Sequence, residues 1–169
     1  MVRDEITKQD TDAVVNAANK KLAPGGGVAG AIHQTAGKKL WEECKKLGGC
    51  KTGEAKITKA YNLPSKYVIH TVGPIYSKKK EDNSEYLSSC YRNSLDLANN
   101  KGIKSVSFPA ISTGAFGYPI EEAAEIAIKT IINWLKNNAE KNVELVRLVL
   151  YSQEDFDIHK KTAEKQKIL

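Results

Sequence analysis

Apolar positions along the chain switch between short runs typical of strands and stripes at helical spacing, and the switching sets out the elements. Residues 13–17 read as a central strand. A helix is predicted to open at Gly30 with Ile32, Thr35 and Ala36 facing inward. A second helix over 38–47 carries Leu40, Trp41, Cys44 and Leu47 on one face, and Gly48 and Gly49 end it. Residues 54–60 and 67–72 read as paired strands joined by 61–65. His70 lies among apolar neighbours in the second strand and reads as a packed, hydrogen-bonded residue. The helix predicted over 84–99 places Leu87, Cys90, Tyr91, Leu95 and Ala98 together, and 104–109 forms the next strand. The helix over 119–137 has Pro119 at its first position and Glu121 and Glu122 in its first turn, both favourable there. Its buried stripe is Ile120, Ala124, Ala127, Ile128, Ile131 and Leu135. A last strand over 144–151 and a last helix over 155–165, its lysines on a solvated face, complete the chain. Strands alternating with helices predict an α/β three-layer sandwich, with any ligand at the carboxyl ends of the strands.

Two of those ends carry glycine loops. In AVVNAANKKLAPGGGVAGAIH (13–33) the strand runs through Asn16 and Asn19 into Pro24 and Gly25, Gly26 and Gly27, then into a helix. Glycines let backbone approach an anion closely, and free N–H groups at a helix start point toward it. The spacing is neither GxGxxG nor that of a P-loop, so this loop alone is equally a packing connection. The stretch SVSFPAISTGAFGYP (105–119) repeats the logic with Ser112, Thr113, Gly114 and Gly117 ahead of a helix. Two such loops in one small domain suit a ligand with a diphosphate at its middle.

Four motifs in order, VVNAANKKL-PGGGVAGAIH, CKTGEAKIT, YVIHTVGPIY and AISTGAFGYP, resemble the macro domains, which bind ADP-ribose. The resemblance runs from about Glu5 to Asp155 and is strongest to the MacroD-type subgroup, whose members hydrolyse mono-ADP-ribose esters. It implies the macro domain fold, a three-layer α/β/α sandwich around a mixed sheet. One domain over 1–169 is expected, its first strand short or truncated because only Met1, Val2 and Arg3 precede Asp4-Glu5-Ile6-Thr7.

The resemblance also assigns roles. Glu5 and the backbone beside Ile6 would bind the adenine edge, with Glu5 standing where the family has Asp. Tyr151 would stack on the adenine, or else serve as a strand-end core aromatic. Backbone N–H groups of Gly26, Gly27 and Val28, and of Ser112, Thr113, Gly114, Ala115 and Phe116, would hold the diphosphate. Asn19 would bond the distal ribose and Phe116 would lie against it, so Asn19, Gly27 and Phe116 form the catalytic group. Asn16 either ties loop to loop or touches ligand. The hydrolytic subgroup has Asp after GGGV, where this chain has Ala29. No nearby residue obviously replaces it, His33 four residues further along the helix being the one candidate, and the diphosphate itself could polarise a water. A slow hydrolase is favoured, with a binding module that does not turn over as the alternative. No cofactor or metal is implied, and ADP-ribose or an ADP-ribosylated protein is the expected partner.

Composition changes this little. The 169 residues suit a single core, and the net charge of +6 suits an anionic ligand without the dense basic stripes of nucleic-acid binders. The run Lys78-Lys79-Lys80 lacks interleaved aromatics, which argues against a single-strand platform and disfavours nucleic acid as a partner. Cys44, Cys50 and Cys90 show no paired spacing and read as reduced thiols of a cytoplasmic protein. No signal peptide or membrane-length apolar run stands out, and a monomer is expected.

Overall fold

A computed structural model describes the chain apart from residues 80, 82, 168 and 169. In order, it contains β1 (Val2–Arg3), a 3₁₀ turn (Ile6–Lys8), β2 (Ala13–Ala17), α1 (Gly27–Ala36), α2 (Lys38–Lys45), β3 (Ala55–Lys59) and β4 (Tyr67–Thr71). Then come α3 (Asn83–Asn100), β5 (Ser105–Phe108), α4 (Ile120–Asn137), β6 (Leu145–Leu150) and α5 (Gln153–Lys165). The six strands form one sheet in the order β1-β6-β5-β2-β4-β3. All neighbours run parallel except β3 and β4, which pair antiparallel from Ala55 against Thr71 to Lys59 against Tyr67. The sheet is therefore mixed, as expected, and its first strand is two residues long.

Alternation along the strands divides the core. Ala13 and Val15 of β2 join Ile69, Val106 and Phe108 beneath α3, α4 and α5, with Leu87, Leu95, Ala127 and Ile131 packed on them. Val14 and Val68 face the other way, against Ile32 of α1 and Leu40 and Cys44 of α2. Central parallel strands covered on both faces need continuous apolar runs, which is what 13–15 and 67–69 supply. The Trp134 indole is buried against α3 because its N–H donates to Asp96 Oδ1 at 2.7 Å.

Several local expectations need correction. α1 opens at Gly27 and not at Gly30, since Gly30 N already donates to the Gly26 carbonyl at 3.2 Å. The glycine run is thus the first helical turn and not only its approach. Thr35 is exposed; Ile32, His33 and Ala36 face inward instead. Pro119 stands at the N-cap of α4 and not at its first helical position. α5 begins at Gln153 because the Ser152 hydroxyl caps it, accepting Asp155 N at 3.0 Å. In the 78–80 basic run, Lys80 lies outside the described residues.

Candidate functional site

The carboxyl ends of β2 and β5 lie side by side in the sheet, so the loops that follow them face each other. Between them lies a cavity of about 280 Å³ lined by Asn19, Gly25 to Ala29 on one side and Ile111, Ser112, Gly114, Ala115 and Phe116 on the other. Ala17, Ala18, Ala110 and Gly73 complete the wall. On the first side the turn is tight. A Cβ added to Gly30 would lie 2.4 Å from the Gly25 carbonyl oxygen, so only glycine lets the helix start fold back on the loop. Gly27, Val28 and Ala29 occupy the first three positions of α1, after an N-cap with no side-chain bond. Their N–H groups have no partner within the helix and give that side a positive end.

The second loop is built around Ser112, whose φ of +66° is costly for a residue with a side chain. It is held there because its carbonyl accepts Tyr118 N at 2.9 Å. The Thr113 hydroxyl donates to the Ala110 carbonyl at 2.8 Å, fixing the loop from behind, and Thr113 does not line the cavity. Among the described residues no acceptor is paired with the N–H groups of Gly114, Ala115 or Phe116. Two rows of fixed backbone donors therefore flank one cavity. Asn19 completes its rim: its amide is pinned by donating to the Ala23 carbonyl at 2.8 Å and accepting Ala23 N at 3.1 Å.

Asn16 is placed elsewhere. It is buried, does not line the cavity, and its Nδ2 lies 3.1 Å from His70 Nδ1. Its side chain thus links strand β2 to strand β4, and not loop to loop. With Asn16 donating to Nδ1, His70 Nε2–H donates to Thr58 Oγ1 at 2.9 Å, and Thr58 in turn donates to the Lys59 carbonyl. Cys44 Sγ sits 3.7 Å from the same ring nitrogen, and burial pushes its thiol up to about 11. Burial, and then the nearby His33 ring, pull His70 down to about 3, so this ring is neutral and structural. His70 is thus the packed, hydrogen-bonded residue that the strand pattern suggested.

His33 is also no substitute for a missing acid. It faces a separate depression of about 500 Å³ behind the first loop, with Pro24, Gly30 and Trp41, and its ring nitrogens are buried without partners. Burial lowers its pKa. Ala29, in contrast, is buried at the cavity wall itself. No group of three or more His, Cys, Asp or Glu among the described residues is arranged to hold a metal.

At the carboxyl end of β6, Asp4 N donates to the Leu150 carbonyl at 3.0 Å, which brings Glu5 and Ile6 beside Tyr151. Tyr151 is 80% exposed, so it is not a core aromatic but a free ring at a strand end. Glu5 pairs with Lys8 at 2.8 Å on the surface, while Ile6 is buried. The Asp4 carboxylate accepts from Glu5 N at 2.8 Å and Gln9 Nε2 at 3.0 Å, and these bonds hold its pKa below the usual range.

Gly73 was not singled out from the sequence as a site residue, yet it floors the cavity where β4 ends. The signal was the TVGP punctuation after the strand, which marks a stop but not which loop it faces.

The family model described as Macro domain matches residues 15–127. A macro domain-containing protein of Chlorobaculum tepidum is 51% identical over 95% of this chain and 92% of its own length. The ADP-ribose glycohydrolase MACROD2 of Xenopus laevis is 48% identical over 94% of this chain, which spans 38% of that longer protein. Among solved structures, the Oceanobacillus iheyensis macrodomain with ADP superposes with a TM-score of 0.93 at 44% identity, covering 98% of this chain and 89% of that one. The Trypanosoma brucei macrodomain in complex with ADP-ribose gives 0.88 at 38% identity, covering 94% and 66%. With matches of this extent and a mixed six-stranded sheet carrying two facing glycine loops, the chain belongs to the macro domain family.

Proposed function

We propose that this protein binds ADP-ribose and slowly hydrolyses the ester that joins ADP-ribose to acidic side chains, or the acetyl ester of O-acetyl-ADP-ribose. The observation that carries the reading is the pair of facing donor loops, Gly25 to Ala29 and Ser112 to Phe116, around one cavity. A diphosphate between them would be met by fixed neutral donors that need no reorganisation. Tyr151 and the segment at Glu5 and Ile6 would take the adenine at the carboxyl end of β6. Asn19 and Phe116 would then bound the distal ribose, where the scissile ester lies. The relatives named as ADP-ribose glycohydrolases and the neighbour holding ADP-ribose support both halves of this reading.

Ala29 sets the rate. Among the described residues nothing acidic lines the cavity, so water would be oriented by the ligand's own diphosphate and by Asn19. The same observation favours a second reading, a module that recognises ADP-ribose without turnover. Incubation with O-acetyl-ADP-ribose and with an aspartyl-ADP-ribosylated protein, following ADP-ribose release, separates the two. Free ADP-ribose is expected to bind in the micromolar range, about −8 kcal/mol. Absence of any calorimetric or thermal-shift response to it would overturn both.

A further inference from the structure

The loop cavity does not end at Asn19 and Phe116. These two residues and Gly73 also line a second groove of about 870 Å³, which runs away from the adenine end toward α3. Its far wall is Lys20, Thr52, Ile75, Lys79, Glu81 and Tyr86. The groove is built, not incidental. Tyr76 N donates to the Phe116 carbonyl at 2.8 Å, tying the 73–76 segment to the second glycine loop. Gly53 N donates to the Val72 carbonyl at 2.8 Å, and Asn83 Nδ2 to the Ser77 carbonyl at 2.6 Å, which fix its floor and its end.

Two features say what it would hold. Ile75 is 61% exposed and Tyr86 43% exposed, an uncommon pair of large apolar side chains presented together beside a polar cleft. Among the described residues, Lys20 and Lys79 line the groove with Glu81 as its one carboxylate, and neither ammonium has an acidic partner. Free ADP-ribose, ending at its distal ribose, would leave this groove empty. A polypeptide joined to that ribose through a side-chain ester would find this groove directly past Asn19 and Phe116.

We propose that this groove docks the polypeptide that carries the ADP-ribosyl group and favours segments with an apolar residue and further carboxylates beside the modified side chain. This rests on the ADP-ribose reading and extends it to the protein side of the bond. The lysines attract flanking acids, and Ile75 and Tyr86 seat one apolar side chain. Neither pair touches the part of the cavity assigned to the diphosphate.

The test compares full-length wild type with Ile75→Ser/Tyr86→Ala and Lys20→Glu/Lys79→Glu, all four positions being at the surface. The probes are free ADP-ribose and two ten-residue peptides carrying ADP-ribose through a hydrolysis-resistant amide. One peptide has Asp and Leu flanks and the other Gly and Lys flanks. Wild type should bind the Asp/Leu peptide about tenfold more tightly than free ADP-ribose, and the Gly/Lys peptide no more tightly than free ADP-ribose. Each double variant should lose that tenfold and keep its affinity for free ADP-ribose. Equal affinity of wild type for all three probes would overturn the docking proposal while leaving ADP-ribose binding standing. Wild type that binds none of them would remove the underlying reading and the docking proposal together.

Discussion

A Cβ placed on Gly73 would lie 2.1 Å from Ser112 Oγ and 2.7 Å from Ile111 Cγ2, so the end of β4 and the second glycine loop are in direct contact. Neither side can yield easily. Ser112 is already in a left-handed backbone conformation and is buried, with its Oγ unpaired. Gly73 for its part closes the strand that pairs with β2 through Ala17 and Thr71.

Gly73→Ala is therefore expected to push the second loop out of place. Overpacking of this kind costs about 1–3 kcal/mol of stability. Affinity for ADP-ribose should fall at least tenfold, because the loop's donors would no longer face those of Gly27 to Ala29. Urea unfolding and calorimetry on the same preparation check both parts. A destabilised variant with unchanged affinity would show that the second loop is not part of the binding site.

Gly26→Glu separates binding from folding in the opposite way. Gly26 has an extended φ of −89°, and nothing lies within 4 Å of a Cβ added there. The side chain would project from the helix start into the cavity and place a carboxylate where the diphosphate is proposed to sit. Unchanged unfolding with loss of detectable ADP-ribose binding is the expected result. Retained micromolar affinity would mean the phosphates are held elsewhere.

The strands and both loops were legible in the sequence because their signals are local. Val14 and Val15 run into Asn16, the glycines punctuate, and α4 shows its stripe from Ala124 to Ile131. What could not be read is set by contacts across the chain. Gly73 matters only because β4 lies next to β2, within reach of the loop after β5. Asn16 could be taken for a ligand residue until the register put it opposite His70. Nothing local marks Ile75 and Tyr86, whose exposure along one groove follows from the fold. Helix starts were misplaced at α1 and α5 because one glycine carbonyl and one serine hydroxyl decide them.

The buried histidine makes stability depend on pH in a defined direction. His70 falls to about 3 in the folded protein from 6.5 when exposed, so the unfolded chain binds the extra proton between those values. Stability is then complete above about pH 6.5 and declines as pH falls toward 3, by up to about 1.4 kcal/mol per pH unit. Burial shifts His33 and His159 the same way, and they add to the slope. The carboxylates with lowered pKa, Asp4, Asp10 and Glu125, act only below their ordinary values of 3.8 to 4.5. Urea midpoints measured from pH 7.5 to 5 thus report the histidines. His70→Leu should lower stability at pH 7 by about 2–4 kcal/mol, because the polar groups of Asn16 and Thr58 lose their partner. It should also flatten the slope. A variant whose slope matches wild type would show that another group carries the dependence.

Ala29→Asp tests what limits turnover. Ala29 lies in the first turn of α1, buried at the cavity wall, with its Cβ 4.0 Å from the position a Gly25 Cβ would take. A carboxylate there faces the reacting end of the proposed ligand and gains from the helix N-terminus, which partly offsets its burial. A positioned acid or base contributes roughly 10²–10⁴-fold. Asn19 lines the same cavity, but its amide is already engaged with Ala23, so a gain of only about tenfold over wild type is expected. Affinity for ADP-ribose should stay level or fall, since a new anion would sit near the diphosphate. A rate that rises while affinity does not would place the effect on the chemical step. Single-turnover release of ADP-ribose from an aspartyl-modified protein, with affinities measured in parallel, gives both quantities. Equal and readily measured rates would show that wild type already activates water, and His33, buried behind the loop, is not the group that does it. No release by either variant, with ADP-ribose still bound, would identify the protein as the non-hydrolysing module.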